Sequence, residues 1–292
     1  VICGFLVLDK PVGLTSHGCV SHVRRAYRLK RVGHGGTLDP AVTGVLPIAL
    51  GPATRLLPYL PGEKTYRATI QLGVRTTTDD LEGEVMARQP VPPPLSPCDL
   101  DTALDAFRGS IQQRPPAFSA VHVQGQRAYA LARSGQSPEL PARQVTLHRL
   151  DLLAWRPQQG QLDLEIHCSA GTYIRSLARD LGALLGCGGA LARLQRTAAL
   201  GFSLNQSVGL EDLQDPLPPL LSPLNVLPHL PRHPLEHSEL EGWRCGRAQR
   251  PHQIFATGDA VLVVAPDGEL AGLAKMEPSG LLQPRIVFDT NG

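Results

Sequence analysis

The sequence predicts an α+β fold, with strands and helices interspersed along the body of the chain and a small β-rich appendage at its end. Three observations carry that reading. Residues 64–72 alternate strictly between apolar and polar side chains, the period of a half-buried strand. Residues 173–185 place Ile174, Leu177, Leu181 and Leu184 at helical spacing. Residues 211–235 contain seven prolines, including Pro-Leu-Pro-Pro, and separate the body from the tail. The chain has 292 residues, 42% hydrophobic and 18% charged, an ordinary globular balance that excludes a disordered or fibrous class. Aromatics make up only 4%, so Leu, Val, Ile and Ala must build the core.

Taken in order, Phe5-Leu6-Val7-Leu8 reads as a buried strand stopped by Pro11 and Gly13. Ser16 is placed to cap a helix reaching about Leu29, with Val20, Val23 and Tyr27 on one face and Arg24, Arg25 and Arg28 elsewhere. In the strand from Lys64, Tyr66, Ala68, Ile70 and Leu72 share the apolar face. Residues 90–97 form a proline-rich loop, and 99–108 a short helix with Leu100, Leu104 and Phe107 inward. Two further strands cover 145–155 and 162–168. The helix over 173–185 is closed by Gly186, the residue type that best tolerates the left-handed position after a helix. The segment 211–235 cannot hold regular structure and reads as a linker or extended wrap. In the tail, 260–265 and 272–276 are short strands, with turns at Pro266-Asp267-Gly268 and Pro278-Ser279-Gly280. The predicted organisation is a body over 1–210, the proline-rich segment 211–235 and a β-rich module over 236–292, near the lower size limit for independent stability.

Several classes are excluded or disfavoured. The six cysteines are scattered, without a C-x-x-C pair or a nearby His at ligand spacing, so no metal site and no disulfide scaffold is predicted. Residues 45–50 are the longest apolar stretch and are interrupted by Pro47, which rules out a membrane-spanning helix. Residues 2–8 lack a basic flank and run into Asp9-Lys10-Pro11, unlike a signal peptide, so the cytoplasm is the expected compartment. No Walker motif, dinucleotide fingerprint, H-E-x-x-H or G-x-S-x-G occurs.

The net charge is only +2, which argues against an indiscriminate nucleic-acid binder. Its distribution is uneven. Residues 1–78 carry ten Lys/Arg against Asp9, Asp39 and Glu63, a local excess of +7 that leaves −5 for the remainder. Only Lys10, Lys30, Lys64 and Lys275 are lysines; the other 24 of 28 basic residues are arginines, whose planar fork suits phosphate. Codon bias accounts for the total, since Ala, Gly and Pro are also plentiful, while particular positions keep the functional reading.

Three clusters could carry chemistry. Gly33-His34-Gly35-Gly36-Thr37-Leu38-Asp39-Pro40 has three glycines in four positions, which lets backbone approach another surface closely, and an Asp-Pro step that projects a carboxylate from a turn. Gly171-Thr172-Tyr173-Ile174-Arg175 puts a cation in the first turn of a helix, against the macrodipole, which points to a fixed anionic partner. Taken alone, the Asp-Pro turn fits a structural role, and Arg175 a solvated surface one. Tyr66 lies on the apolar strand face, where it serves the core or floors a pocket for a flat base.

Together with Gly4–Gly13, Lys64–Ala68, Arg114–Ala120, Gly171–Gly182 and Leu191–Thr197, these segments resemble the TruB family of tRNA pseudouridine synthases, in family order over about residues 3–200. The resemblance implies a pseudouridine synthase fold, with a mixed, mainly antiparallel central sheet flanked by helices and loops, and a PUA-like RNA-binding tail. It implies isomerisation of uridine-55 in the tRNA T-arm loop, with no cofactor and no metal; a monomer is expected from the absence of any long exposed apolar stripe, and neither membrane nor DNA is expected as a partner. Asp39 matches the catalytic aspartate, Tyr66 the base-stacking tyrosine also implicated in late proton removal from C5, and Arg175 the arginine paired with the aspartate. His34 matches the histidine that enters the T-loop where the base leaves the stack. Leu194 matches an apolar residue of the uracil pocket and Lys10 a supporting lysine; Gly36 and Thr37 belong to the same binding loop. The aspartate is expected to be ionised yet largely screened from water. Attack on the sugar C1′, attack on the base and removal of the C2′ proton are all open to it. Phe118 and His122 depart from the family pattern, where Tyr and Lys are common. Two other readings are a guided rRNA-modifying synthase, disfavoured by a tail without lysine-rich extensions, and a T-arm-binding chaperone. A phosphate nest at Gly33–Gly36 without a Walker lysine ranks last.

Overall fold

The computed structural model describes residues 2–92, 95–119, 121–123, 126–134 and 140–288. Ala120, the last residue of the Arg114–Ala120 segment singled out above, lies outside the described residues. The alternating segment forms the strand Lys64–Leu72, with Tyr66, Ala68, Ile70 and Leu72 buried. It occupies the middle of the main sheet, whose order is Gly4–Lys10, Thr43–Leu50, Gly189–Ala199, Lys64–Leu72, Gln161–Cys168, Arg143–Arg156, Gly109–Gln113. Val32–His34 and Phe202–Ser203 add short pairings at Thr43–Leu50 and Gly189–Ala199. Every pairing in this sheet is antiparallel except one, where Thr43 and Gly44 run parallel to Gln195 and Arg196. The sheet is thus mixed and mainly antiparallel, as predicted.

The three predicted helices form, with corrections: the first ends at Ala26 rather than near Leu29, Leu184 of the third is exposed, and the first helix is capped differently. Thr15, not Ser16, caps the helix Ser16–Ala26: its Oγ1 accepts the Gly18 amide at 2.9 Å. Ser16 is buried and bonds the chain near Leu38 instead. The second helix, Pro97–Asp105, is opened by a reciprocal box between Ser96 and Asp99 and buries Leu100 and Leu104. The helix Ile174–Leu184 buries Ile174, Leu177 and Leu181 against the sheet, and Gly186 follows it at φ +74°.

Residues 211–235 are more ordered than their prolines predict. They contain a helical turn, Pro223–Val226, and a strand, Arg232–Pro234, that pairs in parallel with Ala260–Val264. Leu270–Met276 and Leu282–Val287 complete this second sheet in antiparallel fashion. Proline is tolerated because the added strand is short and at the edge. Wrapping is also evident: Leu221 exchanges backbone hydrogen bonds with Phe5, and the Tyr27 hydroxyl donates to the Pro218 carbonyl.

The tail shares a core with the body. Phe5, Val7 and Val45 cluster with Leu262, Leu273 and Ile286, and the Arg55 guanidinium donates to the carbonyls of Arg285 and Val287. All six thiols are free; Cys19, Cys168 and Cys187 are buried, Cys98 and Cys245 exposed. No helix among the described residues is long and apolar enough to cross a membrane.

Candidate active site

Asp39 sits in a loop whose backbone is fixed on both sides of it. The buried Ser16 hydroxyl donates to the Leu38 carbonyl at 3.1 Å and accepts the Leu38 amide at 2.8 Å. On the other side, the Pro40 carbonyl accepts from Lys10 Nζ at 3.1 Å and from the Gly13 amide at 2.8 Å. The Val42 amide closes the turn onto the Asp39 carbonyl at 3.0 Å, with Pro40 at the second position that its fixed φ favours. Lys10 is completely buried, and burial lowers its pKa against the opposing pull of Cys19 and Asp39. Its ammonium also donates to the Pro11 carbonyl at 2.8 Å, so it acts as a clamp between the first strand and the loop.

The carboxylate itself is free to project. Its side chain is 53% exposed, more open than the screened aspartate predicted above, because Ser16 and Lys10 hold the loop by its backbone and leave the carboxylate outside these contacts. Arg175 reaches it from the start of the helix Ile174–Leu184, with Nη2 3.1 Å from Asp39 Oδ2 and Nη1 3.6 Å from Asp80 Oδ2. The Thr78 carbonyl at 3.1 Å and the Phe118 carbonyl at 2.9 Å take further guanidinium protons. Arg175 is therefore only 11% exposed and not a solvated surface residue. Two carboxylates and two carbonyls compensate the unfavourable macrodipole. Asp80 carries no sequence signal of its own; its position depends on Thr78, whose hydroxyl donates to it at 2.5 Å, and on the Glu82 amide at 3.1 Å.

Arg196 is the second residue that sequence reasoning passed over. It is the cross-strand partner of Tyr66, so both side chains leave the same face of the sheet. Its side chain is buried, its positive charge lies close enough to the phenol to favour ionisation, and its guanidinium donates to the Val45 carbonyl at 2.8 Å and the Gly36 carbonyl at 3.0 Å. Arg196 thus ties the glycine loop to the central strands. The only trace in the sequence was an arginine inside the Leu191–Thr197 match.

Close approach at this joint requires glycine. Gly44 has φ +101°, and a Cβ there would stand 2.2 Å from the Arg196 carbonyl oxygen. Gly44→Ala should therefore lower stability by about 3 kcal/mol or more, combining backbone strain and overpacking. The denaturation midpoint measures it, and an unchanged midpoint would show that the loop relaxes without loss.

Tyr66 is 7% exposed and packs in the main core cluster. Burial pushes its phenol up to about 12, against the neighbouring Arg196 cation, which favours ionisation. As the unfolded phenol titrates near 10, the stability this group contributes is complete below pH 10 and is lost as pH rises towards 12. The loss amounts to about 3 kcal/mol at 1.4 kcal/mol per unit. Tyr66→Phe should remove that alkaline slope, read from urea midpoints at pH 9.5 and 11.5.

His34 is half-buried, with Nδ1 enclosed and lacking a hydrogen-bond partner, and burial together with Arg196 and His17 lowers its pKa. Thr37 is exposed and Gly36 lies beneath it against Arg196. A cleft of about 620 Å³ is lined by Val12, Ala41, Thr43, Ala68 and Leu194 among others, so the loop and the strand face with Leu194 meet at one opening. The fold brings Lys10, Gly36, Asp39, Tyr66, Arg175 and Leu194 into one neighbourhood from five separate segments.

Comparison with known proteins is decisive for the family. The model of the "TruB family pseudouridylate synthase (N terminal domain)" matches residues 24–174, more than half of the chain. This chain belongs to the TruB family. A second model, the "tRNA pseudouridylate synthase B C-terminal domain", matches residues 175–219. A relative named tRNA pseudouridine synthase B from Parasynechococcus marenigrum is 62% identical, covering 99% of this chain and 98% of its own. One of the same name from Synechococcus sp. (strain WH7803) is 57% identical with the same coverage. Among solved structures, the protein of an H/ACA RNP bound to a substrate RNA containing 2′-deoxyuridine superposes with a TM-score of 0.72 at 25% identity, covering 98% of this chain and 85% of that one. A Cbf5-Nop10-Gar1 complex gives 0.70 at 28% identity, covering 94% and 78%. The pseudouridine synthase fold and the membership of this TruB chain agree.

Proposed function

We propose that this TruB protein converts uridine-55 in the T-arm loop of tRNA to pseudouridine. The observation that carries the reading is the Arg175–Asp39 pair, placed on a loop whose backbone is anchored independently of its carboxylate. The reaction breaks the N1–C1′ bond, turns the uracil, forms C5–C1′, and moves one proton from C5 to N1. It balances without a redox partner or transferred group, so positioned side chains suffice. Asp39 is the group that acts on the substrate, and Arg175, 3.1 Å away, keeps it aimed. The nucleotide must leave its stack, at a cost of a few kcal/mol. Tyr66 offers the stacking surface and Leu194 an apolar wall, while His34 takes the vacated place in the loop. Burial that holds the Tyr66 phenol near 12 favours stacking over proton acceptance. Lys10, Gly36 and Thr37 shape the entrance. The +7 segment supplies local attraction for the phosphates, and residues 236–292 add a further RNA-contacting module. The enzyme acts as a monomer in the cytoplasm.

The 62% identity to a protein named for tRNA favours tRNA over a guided rRNA substrate; the H/ACA RNP and Cbf5-Nop10-Gar1 structures lie further off, at 25–28%. Mapping pseudouridine in bulk tRNA and rRNA, with and without the purified protein, tests this. One new site in the T-loop is expected; a new site only in rRNA, or none, rejects it.

A further inference from the structure

We propose that His233, Glu239 and His252 bind one zinc ion that staples the C-terminal module. The three come from different elements: the strand Arg232–Pro234, the first turn of the helix His237–Arg244, and the segment after it. One donor atom from each lies within 4.8 Å of the other two. His252 Nε2 is 3.2 Å from Glu239 Oε1, and the two imidazole rings are 4.8 Å apart between centroids.

The independent pointer is His233. It is completely buried, and neither ring nitrogen has a hydrogen-bond partner. An enclosed, unpaired imidazole is costly and calls for a ligand in its pocket. Phe255 packs near its ring, so the polar approach is from the His252 and Glu239 side.

Glu239 is already oriented for the task. Its Oε2 accepts the Glu236 amide at 2.9 Å in a helix-capping box, which leaves Oε1 facing His252. Two imidazoles and a carboxylate are a donor set suited to zinc, with water as fourth ligand. Tetrahedral zinc with bonds of about 2.0–2.1 Å holds its donors about 3.3 Å apart, so the widest pair must close by about 1.5 Å. His252 can supply that movement, since its side chain is 44% exposed and follows the helix on a loop. The same exposure gives the ion a way in. An ion there would link strand, helix and loop at the edge of the second sheet. The sequence spacing hid this set, because its members are separated by five and twelve residues and match no zinc signature.

The test uses the full chain in a Cys98→Ser, Cys245→Ser background, which removes the two exposed thiols as competing ligands. After chelator dialysis, zinc chloride is titrated in competition with a chromogenic chelator, and melting is followed with and without zinc. One equivalent is expected to bind saturably and raise the melting temperature. His252→Ala and Glu239→Gln, both outside the core, should each weaken binding at least tenfold and shrink the thermal shift. Substoichiometric or non-saturable uptake overturns the proposal, as does zinc affinity that is unchanged in both variants.

Discussion

Asp39→Asn is expected to abolish pseudouridine formation in a T-arm stem-loop, by roughly 10⁴-fold or more, while RNA affinity stays within severalfold. The amide is nearly isosteric but can neither attack as an anion nor accept a full proton. The loop does not depend on the carboxylate: Ser16 holds Leu38, and Lys10 with Gly13 holds Pro40. The side chain is half exposed, so its replacement opens no cavity. Arg175 keeps Asp80 and two carbonyls as partners, and the lost negative charge does not weaken attraction for a polyanion. Single-turnover modification and filter binding on the same RNA separate the two effects. Turnover near that of the parent would remove Asp39 from the chemistry.

Arg175→Lys should reduce the single-turnover rate by about 10²–10³-fold, the scale of removing one aimed donor at a developing charge. Lysine preserves the charge, so a purely electrostatic role would survive the change. Geometry is the difference. The guanidinium divides its fork, one nitrogen towards Asp39 and the other towards Asp80, while donating to the Thr78 and Phe118 carbonyls. One ammonium with three protons cannot span those directions, and the part-buried carbonyls would lose donors. Positioning predicts a fall in kcat with KM little changed, and Tm should fall only modestly. A normal kcat would reject a specific Arg–Asp pair; a collapsed Tm with residual specific activity intact would assign Arg175 to the fold.

The short motifs were legible as local features, each with a physical cause, but only the resemblance to the TruB family gathered them into one candidate site. Asp before Pro makes a turn, glycines allow close approach, and a cation at a helix start asks for an anion. The central strand was legible as well, since period-two alternation survives any context. Thr43–Leu50 and Gly189–Ala199 were not recognised as strands, although they flank that centre. Pro47 interrupts the first, yet its missing N–H is tolerated opposite Val7. The second holds four alanines and one glycine, weak strand formers, and becomes a strand because two neighbours satisfy its backbone. Ser16 illustrates the limit of local rules: it has a capping side chain at a helix start, but the cap is Thr15, and its own hydroxyl serves a loop 22 residues away.

The sequence by itself determined the α+β class, the family resemblance and the residues Asp39, Tyr66 and Arg175, since these rest on residue identity and local periodicity. Tertiary structure alone decided who meets whom. It paired Arg175 with Asp80 as well as Asp39, and put Arg196 across from Tyr66 as the tie between loop and sheet. It also merged the tail's core with that of the body, and gathered His233, Glu239 and His252. Long-range hydrogen bonds and buried charge compensation depend on register and crossover, and neither is encoded in the spacing of any single segment.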